Sequence, residues 1–223
     1  MQSYFITGTD TEVGKTFITE RLLKAAASTG LSTLGYKPVS AGCFVQDERL
    51  VNEDALAIQG ASSIAVPIEQ INPIAFAPPI APHIAAKEEG KVIELQEIVD
   101  GYHRLAAYRP DVLLMEGAGG WRLPLGESSW MSQVVSTLEL DVIMVVGMRL
   151  GCINHAMLTA EIIAKDGLTV KGWVANQLSA SMPYYSENLE TLKRSLPAPL
   201  LAEVPFNCRV DSEILIPLRQ IFA

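Results

Sequence analysis

The chain has 223 residues, 49% of them hydrophobic, and a formal net charge of −8. That length suits a single domain spanning residues 1–223, able to bury about 70% of its unfolded surface. The acidic balance argues against nucleic acid or an anionic membrane as partners, because a uniform phosphate surface would repel it. No apolar run nears the roughly 18 residues of a membrane span. The N-terminus also lacks the basic start and long apolar stretch of a signal peptide, so a cytoplasmic protein is expected. Cys43, Cys152 and Cys208 are scattered without CxxC spacing and read as small apolar core residues.

Short β-rich runs alternate with helix-sized segments. Strands are predicted at Tyr4–Thr7, Thr33–Lys37, Val112–Glu116, Val142–Gly147, Gly172–Asn176 and Leu200–Val204, each bounded by Gly, Pro, Asp or Asn. Their apolar character is continuous rather than alternating, as in parallel strands covered on both faces. Helical spacing of apolar residues marks Lys15–Ser28, Leu95–Tyr108, Ile153–Lys165 and Tyr185–Ser195, with Gly30 and Gly167 at C-cap positions. The β-then-α order predicts an α/β fold, an open, mostly parallel sheet with helices on both faces. Pro67, Pro73, Pro78, Pro79 and Pro82 interrupt the rhythm. Their segment reads either as an irregular surface connection or as a substrate-side loop.

Between the first strand and the first helix lies Gly8-Thr-Asp-Thr-Glu-Val-Gly14-Lys15-Thr16. A glycine-rich turn of this kind exposes backbone N–H groups at the positive end of a helix dipole, the surface a phosphate requires. Lys15 would reach the β- and γ-phosphates and the Thr16 hydroxyl would ligate Mg2+. The loop holds five residues between its glycines where the usual motif has four, and it carries two acids, Asp10 and Glu12. Beside a polyanion those carboxylates must point away or accept from loop amides.

Val112-Leu-Leu-Met-Glu116 is an apolar run ending in a carboxylate and followed by Gly117-Ala118-Gly119-Gly120. Ligands of open α/β sheets bind beyond the carboxyl ends of strands, so Glu116 is a candidate magnesium ligand; a cap on the following turn is the plainer alternative. Lys37 ends the second strand on the same sheet edge and could neutralise a phosphoryl group or a carboxylate, although a solvated lysine fits composition equally well. Asp54 competes with Asp47, Glu48 and Glu53. Gly151-Cys152-Ile153-Asn154 opens a helix after the fourth strand and offers a second, smaller anion site. His155 reads there as a structural helix-start residue more readily than as a base.

Taken together, these segments closely resemble the dethiobiotin synthetase family over nearly the whole chain. The likeness runs through TGTDTEVGKT, GYKPV, EDALA, NPIAFAPPIAPH, EGAGGW, LGCINHAMLT, GWVAN and PAPLLAEVP. The resemblance implies an ATP- and Mg2+-dependent ligase that joins diaminopelargonate and CO2 into dethiobiotin through a carbamate and a carbamic-phosphoric anhydride. By position it implies Glu12, Val13, Gly14, Lys15, Thr16 and Phe17 around the nucleotide phosphates, with Gly117, Ala118 and Gly119 beside them. Thr16, Asp54 and Glu116 would hold the metal. Lys37, Lys15 and Thr11 would act at the reacting centre. Asn176, Gln177, Pro205, Phe206 and Asn207 would border the adenine. Gly151, Cys152, Ile153 and Asn154 would hold the substrate carboxylate from the other subunit of a homodimer.

The chain departs from the family pattern at Ser40-Ala41-Gly42, where a hydroxyl residue usually directly precedes the glycine, and after Phe206. Two other classes share parts of the pattern. A septum-positioning or partitioning ATPase switch usually carries an additional lysine early in the loop, and no lysine lies between Gly8 and Lys15. A corrinoid-amidating ligase of the larger kind needs a glutamine-hydrolysing domain for which this chain has no room.

Overall fold

The computed structural model describes residues 1–208 and 217–222. The N-terminal half runs β1 (Gln2–Gly8), α1 (Lys15–Ala27), β2 (Thr33–Tyr36), β3 (Val39–Ser40), β4 (Phe44–Gln46), β5 (Arg49–Val51), α2 (Glu53–Ala61), α3 (Ile68–Ile71), β6 (Ile74–Ala75) and α4 (Pro82–Glu88). It continues with α5 (Leu95–Ala106), β7 (Val112–Gly120), α6 (Met131–Thr137), β8 (Asp141–Met148), α7 (Cys152–Lys165), β9 (Val170–Gln177), α8 (Tyr185–Ser195) and β10 (Leu200–Val204). Six strands form one parallel sheet in the order β10-β9-β8-β1-β7-β2. The expected fold class is therefore the observed one.

Strand β8 shows why its sequence reads as an unbroken apolar run. Ile143 and Val145 enter one core, while Met144, Val146 and Met148 enter a second core with Trp173, Leu189 and Leu192. Successive side chains point to opposite faces, and both faces are covered. On the first face α1 buries Ile18, Leu22 and Leu23. At the far edge the Tyr36 hydroxyl donates to Ile98 O at 3.0 Å. Gly101 of α5 makes that contact possible, because a Cβ there would stand 2.1 Å from the tyrosine oxygen.

β1 lies between β7 and β8, so the chain leaves β7 on one side of β1 and re-enters the sheet on the other. Such a reversal opens a crevice at the carboxyl ends of the strands. β7 runs four residues beyond Glu116, because Gly120 still pairs with Gly8 across a register shift. The glycine run is thus strand rather than turn, and Glu116 lies inside the strand, not on a turn cap. β2 ends one residue short of Lys37, whose amide instead donates to Ile71 O at 2.8 Å. The proline-rich segment is not wholly irregular: it folds into α3, β6 and the start of α4, and β6 pairs in parallel with β3. Cys43 and Cys152 are buried free thiols, as expected. No helix among the described residues is long and apolar enough to cross a membrane.

Candidate active site

The loop from Gly8 to Thr16 is held by close contacts. A Cβ at Gly8 would meet Val13 Cγ2 at 2.6 Å and Asp10 O at 2.9 Å. Gly14 is the N-cap of α1 with φ 87°, and a Cβ there would fall 2.3 Å from Asn176 Nδ2. Both positions require glycine. Val13 is buried and wedged towards Gly147, and its carbonyl accepts from Asn176 Nδ2 at 2.8 Å. Thr11 and Glu12 are exposed, Glu12 with φ 58°.

Of the two acids that looked misplaced beside a polyanion, Asp10 is drawn aside by its partners, while Glu12 is exposed on the cavity wall. Asp10 Oδ1 accepts from the Thr11 amide at 2.8 Å and its other oxygen pairs with Arg149. Lys15 Nζ donates to Asp10 O at 3.2 Å. Burial first, and then the like charge of Lys37, lower the Lys15 ammonium to about 8, against the pull of Glu116, Asp54 and Asp10.

Glu116 is fully buried, and both of its oxygens are engaged. Oε1 accepts from Thr16 Oγ1 at 2.7 Å and from Lys37 Nζ at 2.6 Å; Oε2 accepts from Thr19 Oγ1 at 2.5 Å. Thr19 was not apparent in the sequence, although it lies one helical turn after Thr16 at the i+3 position that shares a face. Lys37 donates further to Asp54 Oδ2 and Gly117 O, each at 3.2 Å, which completes the three donors of an ammonium. Burial alone would lower Lys37, but Glu116 and then Asp54 outweigh it and raise its pKa.

Asp54 is singled out from its acidic neighbours by a helix start. Asn52 caps α2 and its Oδ1 accepts from the Asp54 amide at 3.1 Å, setting Asp54 in the first turn facing Lys37. Asp47 and Glu48 instead form the tip between β4 and β5 with positive φ. Two carboxylates and a hydroxyl thus converge around one lysine. As hard oxygen donors they suit Mg2+, which ordinarily takes few protein ligands and completes its shell with phosphate and water.

A cavity of about 700 Å³ opens above this cluster. Its walls hold Thr11, Glu12, Gly14, Lys15, Thr16, Phe17, Lys37, Asp54, Ala118 and Gly119 from among the expected residues. Pro79, Ile80, Ala81 and Pro82 form the opposite wall with Leu123, so the proline segment faces the site. Asn176, Gln177, Pro205, Phe206 and Asn207 are not in that lining. Asn176 underpins the loop through Val13, while Gln177 Oε1 accepts from the Phe206 amide at 3.3 Å. Gly151–Asn154 also lie outside it, at the start of α7, where Gly151 has φ 93° and Leu150 is 96% exposed. The departure after Phe206 runs into residues 209–216, which lie outside the described residues.

A polyphosphate cradle between the central strand of a parallel sheet and its first helix defines the P-loop nucleotide-binding proteins. At the level of fold, the chain is similar to a chain of the MinC:MinD cell division protein complex from Aquifex aeolicus. The TM-score is 0.63 over 99% of this chain and 96% of that one, at 12% identity. Residues 2–213 match the family model described as an AAA domain. The ATP-dependent dethiobiotin synthetase BioD of Alteromonas mediterranea is 56% identical over 226 aligned residues, covering 97% of this chain and 97% of that protein. The enzyme of the same name from Cellvibrio japonicus is 50% identical, covering 92% and 89%. The chain belongs to the ATP-dependent dethiobiotin synthetase family.

Proposed function

We propose that this single-domain chain, 1–223, catalyses the ring closure named by its family, converting 7,8-diaminopelargonate, CO2 and ATP to dethiobiotin, ADP and phosphate in biotin biosynthesis. It is an ATP-dependent ligase forming C–N bonds. One substrate amine loses a proton and bonds CO2 as a carbamate. A carbamate oxygen then takes the γ-phosphoryl group and ADP leaves. The second amine attacks the carbamoyl carbon, the ring closes and phosphate departs.

The observation that carries this reading is the meeting of two buried lysines from different elements in one cavity, Lys15 from the loop and Lys37 from beyond β2. Lys15 faces the transferring phosphoryl group, and Lys37 stabilises the anionic carbamate and anhydride. Thr11 sits on the same wall and contacts the diamine end. Thr16, Asp54 and Glu116 would hold Mg2+, which neutralises charge on the phosphates. Asn176 and Gln177, with Pro205–Asn207, border the adenine.

The start of α7, the segment assigned to the substrate carboxylate, does not line the chain's own cavity, which supports donation to a partner subunit. Asn154, Leu158 and Glu161 form an exposed stripe at helical spacing beside it, a surface suited to a homodimer. A cytoplasmic location is part of this reading, and the acidic balance disfavours nucleic acid and anionic membranes as partners.

Release of ADP is expected to require both the diamine and bicarbonate; equal release without the diamine would refute the reading. Lys37→Ala is expected to fold and bind ATP yet lose turnover.

A further inference from the structure

Two prolines, one of them buried, leave the backbone beside Lys37 short of hydrogen-bond donors. Pro38 and Pro73 lack amide hydrogens, and they flank the point where β2 stops and β3 begins to pair with β6. The Lys37 carbonyl receives its donor from a side chain, Asn72 Nδ2, at 2.7 Å. The Lys37 amide donates to Ile71 O at 2.8 Å. Residues 71 and 72 therefore grip both backbone groups of Lys37. Asn72 is in turn fixed from its other end, because Asn72 Oδ1 accepts from Ser40 Oγ at 2.7 Å, with Cys43 Sγ 3.1 Å from the same hydroxyl. Ser40, Asn72 and Cys43 are all buried.

We infer that Asn72 is a positioning residue for Lys37, clamped by Ser40. An edge strand that stops before the lysine, with a proline after it, leaves the lysine backbone free to shift, and a buried amide with donor and acceptor both engaged removes that freedom. Ser40 and Ala41 both line the cavity, and the Ser40 hydroxyl is turned onto this clamp. Asn72 touches neither reactant. Its effect is to hold Lys37 Nζ at Glu116, Asp54 and Gly117. This inference rests on the role proposed above for Lys37.

The test compares Asn72→Asp, Asn72→Ala and Ser40→Ala with wild type and Lys37→Ala, measuring kcat, the KM for diamine, the Kd for ATP and thermal stability. Asn72→Asp keeps the acceptor for Ser40 but cannot donate to Lys37 O. Both Asn72 variants are expected to lose roughly 10- to 100-fold in kcat, the range a small misplacement costs. Their ATP Kd and diamine KM are expected to stay within about twofold, which general loosening would not spare. Ser40→Ala is expected to give a smaller loss in the same direction. The inference is overturned if kcat stays within about twofold of wild type, or if kcat, KM and Kd worsen in parallel with stability. Should neither Asn72 variant fold, Ser40→Ala decides, and an unchanged kcat overturns the inference. Retained turnover in Lys37→Ala would instead remove the role assigned to Lys37; loss there beside active Asn72 variants would remove only the role of Asn72.

Discussion

Lys15 gives the clearest quantitative handle on the cradle. Burial and the neighbouring charge of Lys37 lower its pKa from the ordinary 10.5 to about 8. A bound triphosphate favours the charged ammonium and pulls the pKa back up. Binding must then take up protons wherever the free lysine is partly neutral. At pH 8 half of the free molecules lack that proton, so about 0.5 proton is taken up per nucleotide. The apparent Kd for ATP should weaken as pH rises, because a growing share of the protein must be protonated before it binds. Between pH 7.5 and 9 the worked factor is about eightfold. Calorimetry in buffers of different ionisation enthalpy measures the uptake, and titrations across that range measure the Kd. A Lys15→Met variant should bind more weakly with no such dependence. A flat Kd in the wild type with no proton uptake would refute the coupling, and so would the same slope in Lys15→Met.

Gly14→Ala places a side chain in a left-handed conformation and against Asn176, which should cost roughly 2 kcal/mol. For a chain of this size that is a drop of about 4–8 °C in Tm, and weaker ATP binding should accompany it in a fluorescent-nucleotide titration. Arg149→Ala removes an ion pair whose side chains are both more than 40% exposed, so Tm should change by less than the equivalent of about 1 kcal/mol. Leu158→Glu puts charge on the exposed face of α7, 57% exposed at that residue. Light scattering should show monomers, with diamine KM raised and ATP Kd unchanged.

Much of the fold was legible because parallel strands covered on both faces leave an unbroken apolar signature, and β8 is the clearest case. The cradle was legible because its residues are consecutive. What escaped depends on distant partners. α2 is short, and Asp54 differs from Asp47 and Glu48 only through the Asn52 cap and a lysine 17 positions earlier. Thr19 matters through a carboxylate 97 positions later. The prolines left open a surface connection or a substrate-side loop, and only the fold shows that their segment walls the cavity; nothing local in Asn72-Pro73 shows that the asparagine meets the Lys37 carbonyl.

An enzyme with net charge −8 must bind a polyanion through local arrangement, and the two lysines divide that task. Every donor of the Lys37 ammonium is engaged by Glu116, Asp54 and the Gly117 carbonyl. Its charge is balanced before any ligand arrives. Lys15 has a carbonyl as its hydrogen-bond partner, that of Asp10, while the Asp10 carboxylate is turned onto Arg149 and the Thr11 amide. Keeping that carboxylate off Lys15 leaves one buried cation poorly compensated, which is why its pKa falls while that of Lys37 rises. The uncompensated lysine is the one the phosphates would satisfy. An acid in the loop is therefore compatible with a phosphate site, provided its charge is drawn away from the cradle.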